Sequence, residues 1–493
     1  MGIVIRKAIT TAIVNYAGVA LGVINILWLQ TAIFTKLQIG IVNYLFDVAI
    51  LLFPFIMFGT SGLPARFLHH FKSGKEQNSF ISLLFTVPLL VLLLVSGIFV
   101  LFQEQIIAVL GEDAVRNREY LIYIIPIIFC YIYQYALEAI LTTKSLTVFT
   151  AFFKTIVRRL IFIGLLIAYH FQIIAFADLV FWFVVYHFIE IIIVFIYFKT
   201  QFDFSFATPK LIASTQQKKE IYQYALYLLI GVSGVVMVGK IDSVMISGIT
   251  DDLGQLGIYT IAFFIATVIE LPKRIVHQLA FPIMSKNVTE NKQDELNEMY
   301  QQTGINMALI SLFLFLLIWY NIDELFLLIP NGEIYQAGKW AVFFVGIAKV
   351  LDAIFGTTDL MINATKHFKW NGFLVPILIA LTLLSNYIFI NLYGIVGAAI
   401  ATSISIFIYS ILKYIMVLIR LKMNLLAVKH FTIAFVAIIV IAVFYFKPVI
   451  VNNQVIEIAI NSIIITFIFI GGNYLFKTSN EMNGIINKFL KRK

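Results

Sequence analysis

The chain has 493 residues, of which 61% are hydrophobic and 12% are charged, and its formal net charge is +9. Soluble domains carry charge on about a quarter of their residues, so this composition excludes a soluble globular protein and indicates an integral membrane protein. Apolar stretches of about 20 residues recur along the whole length, and each is long enough to cross a bilayer as a helix. The alternating pattern of β-barrel strands is absent, so the fold class predicted is all-α.

Fourteen transmembrane spans are predicted, and they are numbered here in chain order. They lie near residues 8–34, 39–63, 80–102, 119–142, 148–170, 174–198, 221–247, 256–280, 303–329, 337–363, 370–392, 394–418, 429–446 and 454–476. The first span is too long for the apolar segment of a signal peptide and lacks a clear cleavage site. We therefore expect it to remain in the mature protein.

The positions of the positive charges predict the orientation. If the N-terminus lies in the cytoplasm, 28 of the 35 lysines and arginines fall on the inner side, and Lys240 and Lys349 lie within spans. The few that remain on the outer side are Lys36, Arg116, Arg118, Lys339 and Lys447. Because short inner loops of membrane proteins are enriched in Lys and Arg, both termini are expected in the cytoplasm.

The chain contains an internal duplication. The fourth span contains "LEAILTT" at 137–143, and the tenth contains the similar "LDAIFGTT" at 351–358. Gly40 in the second span corresponds to Gly257 in the eighth, and the prolines Pro54 and Pro64 correspond to Pro272 and Pro282 with an offset that differs by one residue. Six spans therefore occur twice.

An even number of spans in a repeat keeps both copies in the same orientation. The duplication thus predicts two six-helix lobes related by an axis along the membrane normal, as in many carriers. The expected division is an N-terminal lobe at 1–205, a C-terminal lobe at 206–425, and two additional helices with a basic cytoplasmic tail at 426–493.

Two spans carry stripes of polar residues at helical spacing. The stripe in the tenth span consists of Lys349, Asp352, Gly356, Asp359 and Asn363. The stripe in the fourth consists of Gln134, Glu138, Thr142 and Ser145. A charge facing lipid near the bilayer centre costs about 2.5–3.5 kcal/mol, so both stripes should face protein or water. Either Lys349 and Asp352 pair with each other as structural links, or the stripes line a cavity shared by the lobes.

Lys240 and Asp242 lie two positions apart in the seventh span. Residues at this spacing point about 200° apart on a helix, so each needs its own partner. Lys240 is the main candidate for a cavity cation that meets an anionic group. The alternative is a buried salt bridge from Lys240 to an acid, for which the candidates are Glu138, Asp352 and Glu270.

Other polar residues leave similar alternatives open. His187 and Glu190 share a face of the sixth span, which fits a proton relay or a hydrogen-bonded structural pair. Further cations are expected near the inner ends of spans, where they reach lipid headgroups or form a basic vestibule that gathers phosphate. These cations are Arg66, Arg158, Arg159, Lys273 and Arg274.

The chain carries no signal of an ATPase or a metal site. Its Gly-Lys pairs are followed by Glu76, Ile241 and Trp340, whereas a phosphate-binding loop requires Ser or Thr there. The single cysteine, Cys130, lies in an apolar span and is expected to be buried and inert. We therefore expect a transporter without a cofactor or a bound metal. A membrane-embedded glycan polymerase or ligase is a further alternative, although the outer loops are short for a catalytic domain.

Several segments resemble the polysaccharide-flippase branch, which is O-antigen translocase-like, of the multidrug/oligosaccharidyl-lipid/polysaccharide exporter superfamily. The stretch "KIDSVMISGITDDLGQLGIYTIAFFIATVIELPKRIVHQLAFPIMSK" at 240–286 is similar to its seventh and eighth spans, with a buried charge before a short loop and a Gly-Ile-Tyr start. The stretches "LDAIFGTTDLMINATKHFKWN" at 351–371 and "YGIVGAAIATSISIFIY" at 393–409 are similar to its tenth and twelfth spans.

The resemblance implies a V-shaped, two-lobed carrier. Such carriers move undecaprenyl-pyrophosphate-linked oligosaccharide across the bacterial inner membrane by alternating access, in the synthesis of lipopolysaccharide and other cell-envelope polysaccharides. Fourteen spans favour this branch over the drug and cation antiporters, which generally have twelve. The extra pair of helices would suit a groove for the polyprenyl tail.

The same resemblance implies roles for the charged residues. The pyrophosphate would meet the cavity cations Lys240, Lys349 and Arg66. Counter-charges or ion-coupling sites would be Glu138, Asp242, Asp352, Asp359, Glu190 and His187. The expected partners are the lipid-linked oligosaccharide, membrane lipids and H⁺ or Na⁺, with no nucleic acid, and the chain is expected to act as a monomer.

The main alternative is an ion-coupled exporter of drugs and other small amphipathic cations. In that case the intramembrane acids would form the substrate site, and the last two spans would be dispensable.

Overall fold

The structure, a computed structural model, describes residues 2–71, 74–105, 112–208, 214–290, 292–365, 369–447, 451 and 453–490. Within these ranges the chain is almost entirely helical and contains no β-strand. It divides into two compact units, Met1–Thr260 and Ile261–Lys493. The predicted all-α fold is confirmed.

The first unit contains the helices of the first seven spans. The long helices are Gly2–Val23, Lys36–Ile56, Lys75–Leu101, Ile124–Thr142, Arg158–His170, Phe176–Gln201 and Thr215–Thr250. The first continues through the π-helical segment Ile24–Gln30 into Thr31–Ile33, and the fifth span begins with Thr147–Phe152 and the π-helical segment Phe153–Val157. Short helices at Thr60–Gly62, Leu63–Phe67, Leu68–His70, Glu112–Arg116 and Arg118–Leu121 lie in the connections.

The eighth span begins with Leu253–Thr267, which crosses the boundary between the units, and continues through Val268–Glu270 into Leu271–Thr289. The long helices that follow are Gln293–Trp319, Lys339–Ala364, Lys369–Arg420, Val428–Phe446 and Gln454–Leu475. Short helices Ile322–Leu328, Gly332–Tyr335 and Gln336–Gly338 lead into the tenth span. Each of the fourteen predicted spans thus coincides with a helix or a run of helices.

Within the described residues, eleven helices are long and apolar enough to cross a membrane. One of them, Gly372–Arg420, covers both the eleventh and the twelfth predicted spans. It is broken at Gly394, whose φ of 57° is left-handed, a conformation that glycine adopts without a steric cost. The fifth and seventh spans also coincide with helices, so the structure is consistent with fourteen spans.

The basic C-terminal tail has secondary structure of its own. Residues Asn480–Leu490 form a helix. The Ser479 hydroxyl accepts a hydrogen bond from the Met482 amide at 3.1 Å, which caps the first turn. The Asn483 side chain donates to the Tyr474 carbonyl at 3.3 Å and ties this helix to the fourteenth span.

The second and eighth spans meet through the two glycines that the duplication matches. A Cβ added to Gly40 would overlap the carbonyl oxygen of Leu253, and a Cβ added to Gly257 would overlap the carbonyl oxygen of Lys36. Each contacted carbonyl belongs to the residue four positions before the other glycine. The contact is therefore reciprocal.

The last two spans pack against the ninth. Ile433 and Val440 of the thirteenth span and Phe469 of the fourteenth form one buried cluster with Leu309 and Leu316. Burying such large apolar side chains stabilises each by about 1.5–3 kcal/mol in water, and within a bilayer the close packing itself holds the helices together. The thirteenth and fourteenth spans are thus part of the packed core of the second unit.

Candidate functional site

Lys240 is paired with an acid that the sequence analysis did not single out. Its Nζ lies 2.5 Å from Oδ1 of Asp47 in the second span. The partners expected from the sequence, Glu138, Asp352 and Glu270, were wrong. Asp47 is the only acid in the second span, which was the available signal. The Lys240 side chain is 30% exposed and that of Asp47 only 8%, so the cation is the more accessible member.

Asp242 is satisfied separately from Lys240, as the two-residue spacing requires. The Tyr259 hydroxyl donates a hydrogen bond to Asp242 Oδ2 at 2.8 Å. Asp242 is 1% exposed. A tyrosine at this position supplies a donor to the buried carboxylate without adding a charge.

Three polar side chains form a closed network inside the first unit. Arg158 donates from Nε and Nη2 to the two oxygens of Glu190 at 3.0–3.1 Å, and Nη2 also donates to Gln134 Oε1 at 2.7 Å. The Gln134 amide closes the triangle with a bond of 2.6 Å to Glu190 Oε1. Glu190 has a side-chain exposure of 1%, so its charge is neutralised entirely by protein groups.

His187 makes no hydrogen bond to Glu190 among the described residues, so the hydrogen-bonded pair expected from their spacing is not present. Its Nδ1 lies 2.8 Å from the Phe183 carbonyl oxygen. Its buried Nε2 has no hydrogen-bond partner among the described residues. The rings of Phe46 and Tyr131 pack around it, with centroids 5.3 and 6.2 Å away.

Glu138 pairs with Lys154 of the fifth span at 3.0 Å. The Lys154 Nζ also lies 4.5 Å from the ring centroid of Tyr135, one turn before Glu138. Arg66 lies near the end of the second span, as expected, and its guanidinium stacks over the Tyr224 ring at 4.6 Å. Arg66 is exposed and has no carboxylate partner among the described residues.

The sequence analysis expected Arg158 and Arg159 near the inner end of their span. The structure places them elsewhere. They follow the π-helical segment Phe153–Val157 in a helical run from Thr147 to His170. At 1.5 Å per residue, both are about 17 Å from either end of the run. Both arginines therefore lie near the middle of this helical run.

In the second unit, the charged residues of the eighth and tenth spans form two parallel rungs. Lys349 pairs with Glu270 at 2.6 Å, and Asp352 pairs with Lys273 at 2.7 Å. Lys349 and Asp352 therefore do not pair with each other, so the structural link between them that the sequence analysis offered as an alternative was wrong. Each rung joins residues 79 positions apart, so the two helices run parallel and in register.

Asp359 lies about two helical turns beyond Asp352, on the same face of the tenth span. Both of its oxygens accept from Nζ of Lys413 in the twelfth span at 2.8 Å. Lys413 is nearly buried, with a side-chain exposure of 3%. The stripe of the tenth span is thus neutralised by two neighbouring helices, and the duplicated acids Glu138 and Asp352 have partners on non-equivalent spans.

The arrangement provides paired charges. Among the described residues, no group of three His, Cys, Asp or Glu side chains could hold a metal ion. Each paired cation could exchange its carboxylate for an anionic group of a ligand, since phosphate oxygens accept the same hydrogen bonds. Lys240 is the most accessible of the paired cations at the predicted sites.

No protein-family model matches the chain, and no curated protein sequence matches it either. Solved structures do match. A structure described as lipid II flippase MurJ in an inward closed conformation aligns with a TM-score of 0.73 and 16% identity, over 94% of this chain and 98% of that chain.

Two structures of a multidrug resistance MATE transporter of the MOP superfamily also match. The inward-facing one has a TM-score of 0.62 and 13% identity, over 83% of this chain and 98% of that one. The outward-facing one has a TM-score of 0.55 and 14% identity, over 85% of this chain and 95% of that one. This chain therefore has the membrane-transporter fold that these proteins share.

Proposed function

We propose that the protein is a flippase that moves a lipid-linked oligosaccharide, joined through a pyrophosphate, across the bacterial inner membrane. The observation that carries this proposal is the C-terminal helix pair Val428–Phe446 and Gln454–Leu475, which packs into the core of the second unit. The lipid flippase match covers 94% of this chain, whereas the MATE matches cover 83% and 85%. A helix pair beyond a twelve-span carrier suits a substrate with a long polyprenyl tail.

In this proposal the protein is a carrier that works by alternating access between two lobes at 1–205 and 206–425. The reciprocal contact of Gly40 and Gly257 supports the repeat on which this division rests. Both termini would lie in the cytoplasm, and the substrate would enter from that side. The glycan it carries would serve cell-surface polysaccharide synthesis, as in the O-antigen pathway.

Lys240 and Lys349 are the proposed contacts of the pyrophosphate, with Arg66 at the inner end of the second span. Asp47 and Glu270 would hold the two lysines while no substrate is bound. Such an exchange keeps the buried lysines neutralised at every stage, because one anion replaces another. Na⁺ or H⁺ coupling at Asp352 or Asp359 would reset the carrier.

A cation antiporter is the second candidate function. An organic cation would have to displace a lysine or arginine from its carboxylate, because several intramembrane acids already contact a cation. These acids are Asp47, Glu138, Glu190, Glu270, Asp352 and Asp359. The likeness to MATE structures is the observation that keeps this second candidate in view.

The test is reconstitution in liposomes with a fluorescent undecaprenyl-pyrophosphate disaccharide and measurement of its transbilayer movement. We expect the wild type to move the probe and Lys240→Gln to lose at least about tenfold in rate, since a charge-assisted contact contributes about 1.5–3 kcal/mol. Lys339→Gln is the matched control, because Lys339 pairs with Asp323, whose side chain is 60% exposed.

A second variant separates a transport role of Lys240 from a structural one. Asp47→Asn frees the cation without removing it, so we expect tighter binding of the probe. If Lys240 only holds two helices together, Asp47→Asn and Lys240→Gln should instead impair transport equally. A wild type that ignores the lipid but exports an organic cation along an ion gradient, with loss in Asp352→Asn, would refute the flippase proposal.

A further inference from the structure

Arg159 differs from the other cations inside the spans. Six of them contact a carboxylate oxygen at 2.5–3.0 Å, namely Lys154, Arg158, Lys240, Lys273, Lys349 and Lys413. Arg159 contacts no carboxylate among the described residues. It nevertheless lies midway along the same helical run as Arg158, and a charged side chain in the middle of a membrane span is costly and marks a functional site by default.

Glu190, the carboxylate partner of Arg158, does not also pair with Arg159. Arg158 donates hydrogen bonds to Glu190 and Gln134 on one face of the fifth span. Arg159 follows it by one position and so points about 100° away, toward the first span. The Glu190 carboxylate is therefore committed to the other arginine.

The guanidinium of Arg159 lies in a cradle of glycine backbone. A Cβ added to Gly22 would be 3.2 Å from Nε, Cζ and Nη2 alike, so the planar group faces this glycine. A Cβ added to Gly18 would be 2.7 Å from Nη1. A larger residue at either position would displace the guanidinium. The two glycines, one turn apart, thus leave room for it against the first span.

One edge of the guanidinium is left free. The Nη1 atom donates to the Thr155 carbonyl oxygen at 3.1 Å. No acceptor for Nε or Nη2 is present among the described residues. These two donors form the parallel fork that matches two oxygens of a phosphate group. Asn15, one turn before Gly18 on the same face, is half-buried and adds a second polar group.

We infer that Arg159 binds a phosphate group of the lipid-linked substrate through its Nε and Nη2 edge, against the glycine face of the first span. This inference rests on the proposed function and names a contact outside the lysine pairs. The positive charge of Arg159 favours a phosphate over an organic cation. Its two parallel donors, Nε and Nη2, favour a phosphate over a neutral sugar. A phosphate of an ordinary bilayer phospholipid offers the same chemistry and is separated by the test.

The test measures binding of a fluorescent undecaprenyl-pyrophosphate disaccharide to the full-length protein in neutral phosphatidylcholine nanodiscs. We expect Arg159→Gln to raise the Kd at least about tenfold, as loss of a charge-assisted bidentate contact requires. Arg159→Lys should recover only part of the affinity, because an ammonium lacks the fork. Gly22→Ala should weaken binding with the charge intact. Arg118→Gln, at an exposed arginine, is the matched control.

The outcomes distinguish the inference from the function beneath it. Wild-type binding that Arg159→Gln leaves unchanged, in protein with the wild-type unfolding midpoint, overturns the inference and leaves the flippase proposal standing. A wild type that fails to bind the probe overturns the proposed function and this inference with it. If phosphatidylglycerol competes with the probe at similar concentrations, and Arg159→Gln removes both, the site belongs to a bilayer lipid and the substrate assignment is wrong.

Discussion

Removing the carboxylate of Glu190 should destabilise the first unit strongly. In Glu190→Gln, Arg158 loses a carboxylate that accepts three of its hydrogen bonds at 3.0–3.1 Å. The Arg158 side chain is only 16% exposed, so water cannot fully replace this partner. Breaking a buried ion pair from one side costs about 3–5 kcal/mol. Because glutamine keeps one acceptor oxygen, we expect a loss of about 3 kcal/mol.

The assay is equilibrium unfolding in detergent, with the free energy of unfolding obtained from a denaturant titration followed by tryptophan fluorescence. Asp323→Asn is the matched control, since it breaks an ion pair whose members are 60% and 32% exposed. Exposed pairs contribute about 0–1 kcal/mol, so this variant should unfold close to the wild type.

A double variant then tests whether the charge is the cause. Arg158→Leu combined with Glu190→Leu leaves no unpaired ion, so it should cost less than the two single changes added together. The expected coupling is about 2 kcal/mol or more, at the upper end for residues in direct contact. If Glu190→Gln costs no more than Asp323→Asn, or if the single changes are additive, the buried network does not stabilise the fold as reasoned here.

Three further predictions concern helix packing, the burial of Cys130 and a second buried ion pair. Gly40→Val should force the second and eighth spans apart, because its side chain overlaps the Leu253 carbonyl oxygen, and faster amide hydrogen exchange in the second span would show it; unchanged exchange would contradict the contact. Cys130, which is 1% exposed, should resist a water-soluble maleimide until the protein is denatured, and rapid labelling of native protein would refute its burial. Glu457→Gln should lower the unfolding midpoint, because the Lys447 side chain is 10% exposed and loses its partner at 2.5 Å; removing both charges should restore much of the loss.

The helices could be predicted from the sequence because a membrane span is a local property. About 20 consecutive apolar residues have one stable conformation in lipid, where every backbone group must be satisfied within the segment. The fourteen predicted spans therefore coincide with helices, and the break between the eleventh and twelfth falls at Gly394. The separation of Lys240 from Asp242 was equally local, since it follows from the angle between helix positions.

The partners of the buried charges were decided only by the tertiary structure. Local spacing suggested Lys349 with Asp352 and His187 with Glu190, yet both suggestions were wrong. An intramembrane charge takes the nearest opposite charge on a neighbouring helix, and which helices are neighbours depends on packing between distant segments. Asp47 reached Lys240 in this way across 193 positions.

The same distinction applies to Arg158 and Arg159. Sequence alone establishes that two adjacent arginines lie in one apolar span, and that adjacent helical positions face different directions. Only the packed structure places Glu190 beside the first arginine and the bare glycine surface of the first span beside the second. The sequence by itself determined a polytopic helical membrane protein with charges that had to be buried, and the packing of its helices decided which cation contacts a carboxylate and which, among the described residues, does not.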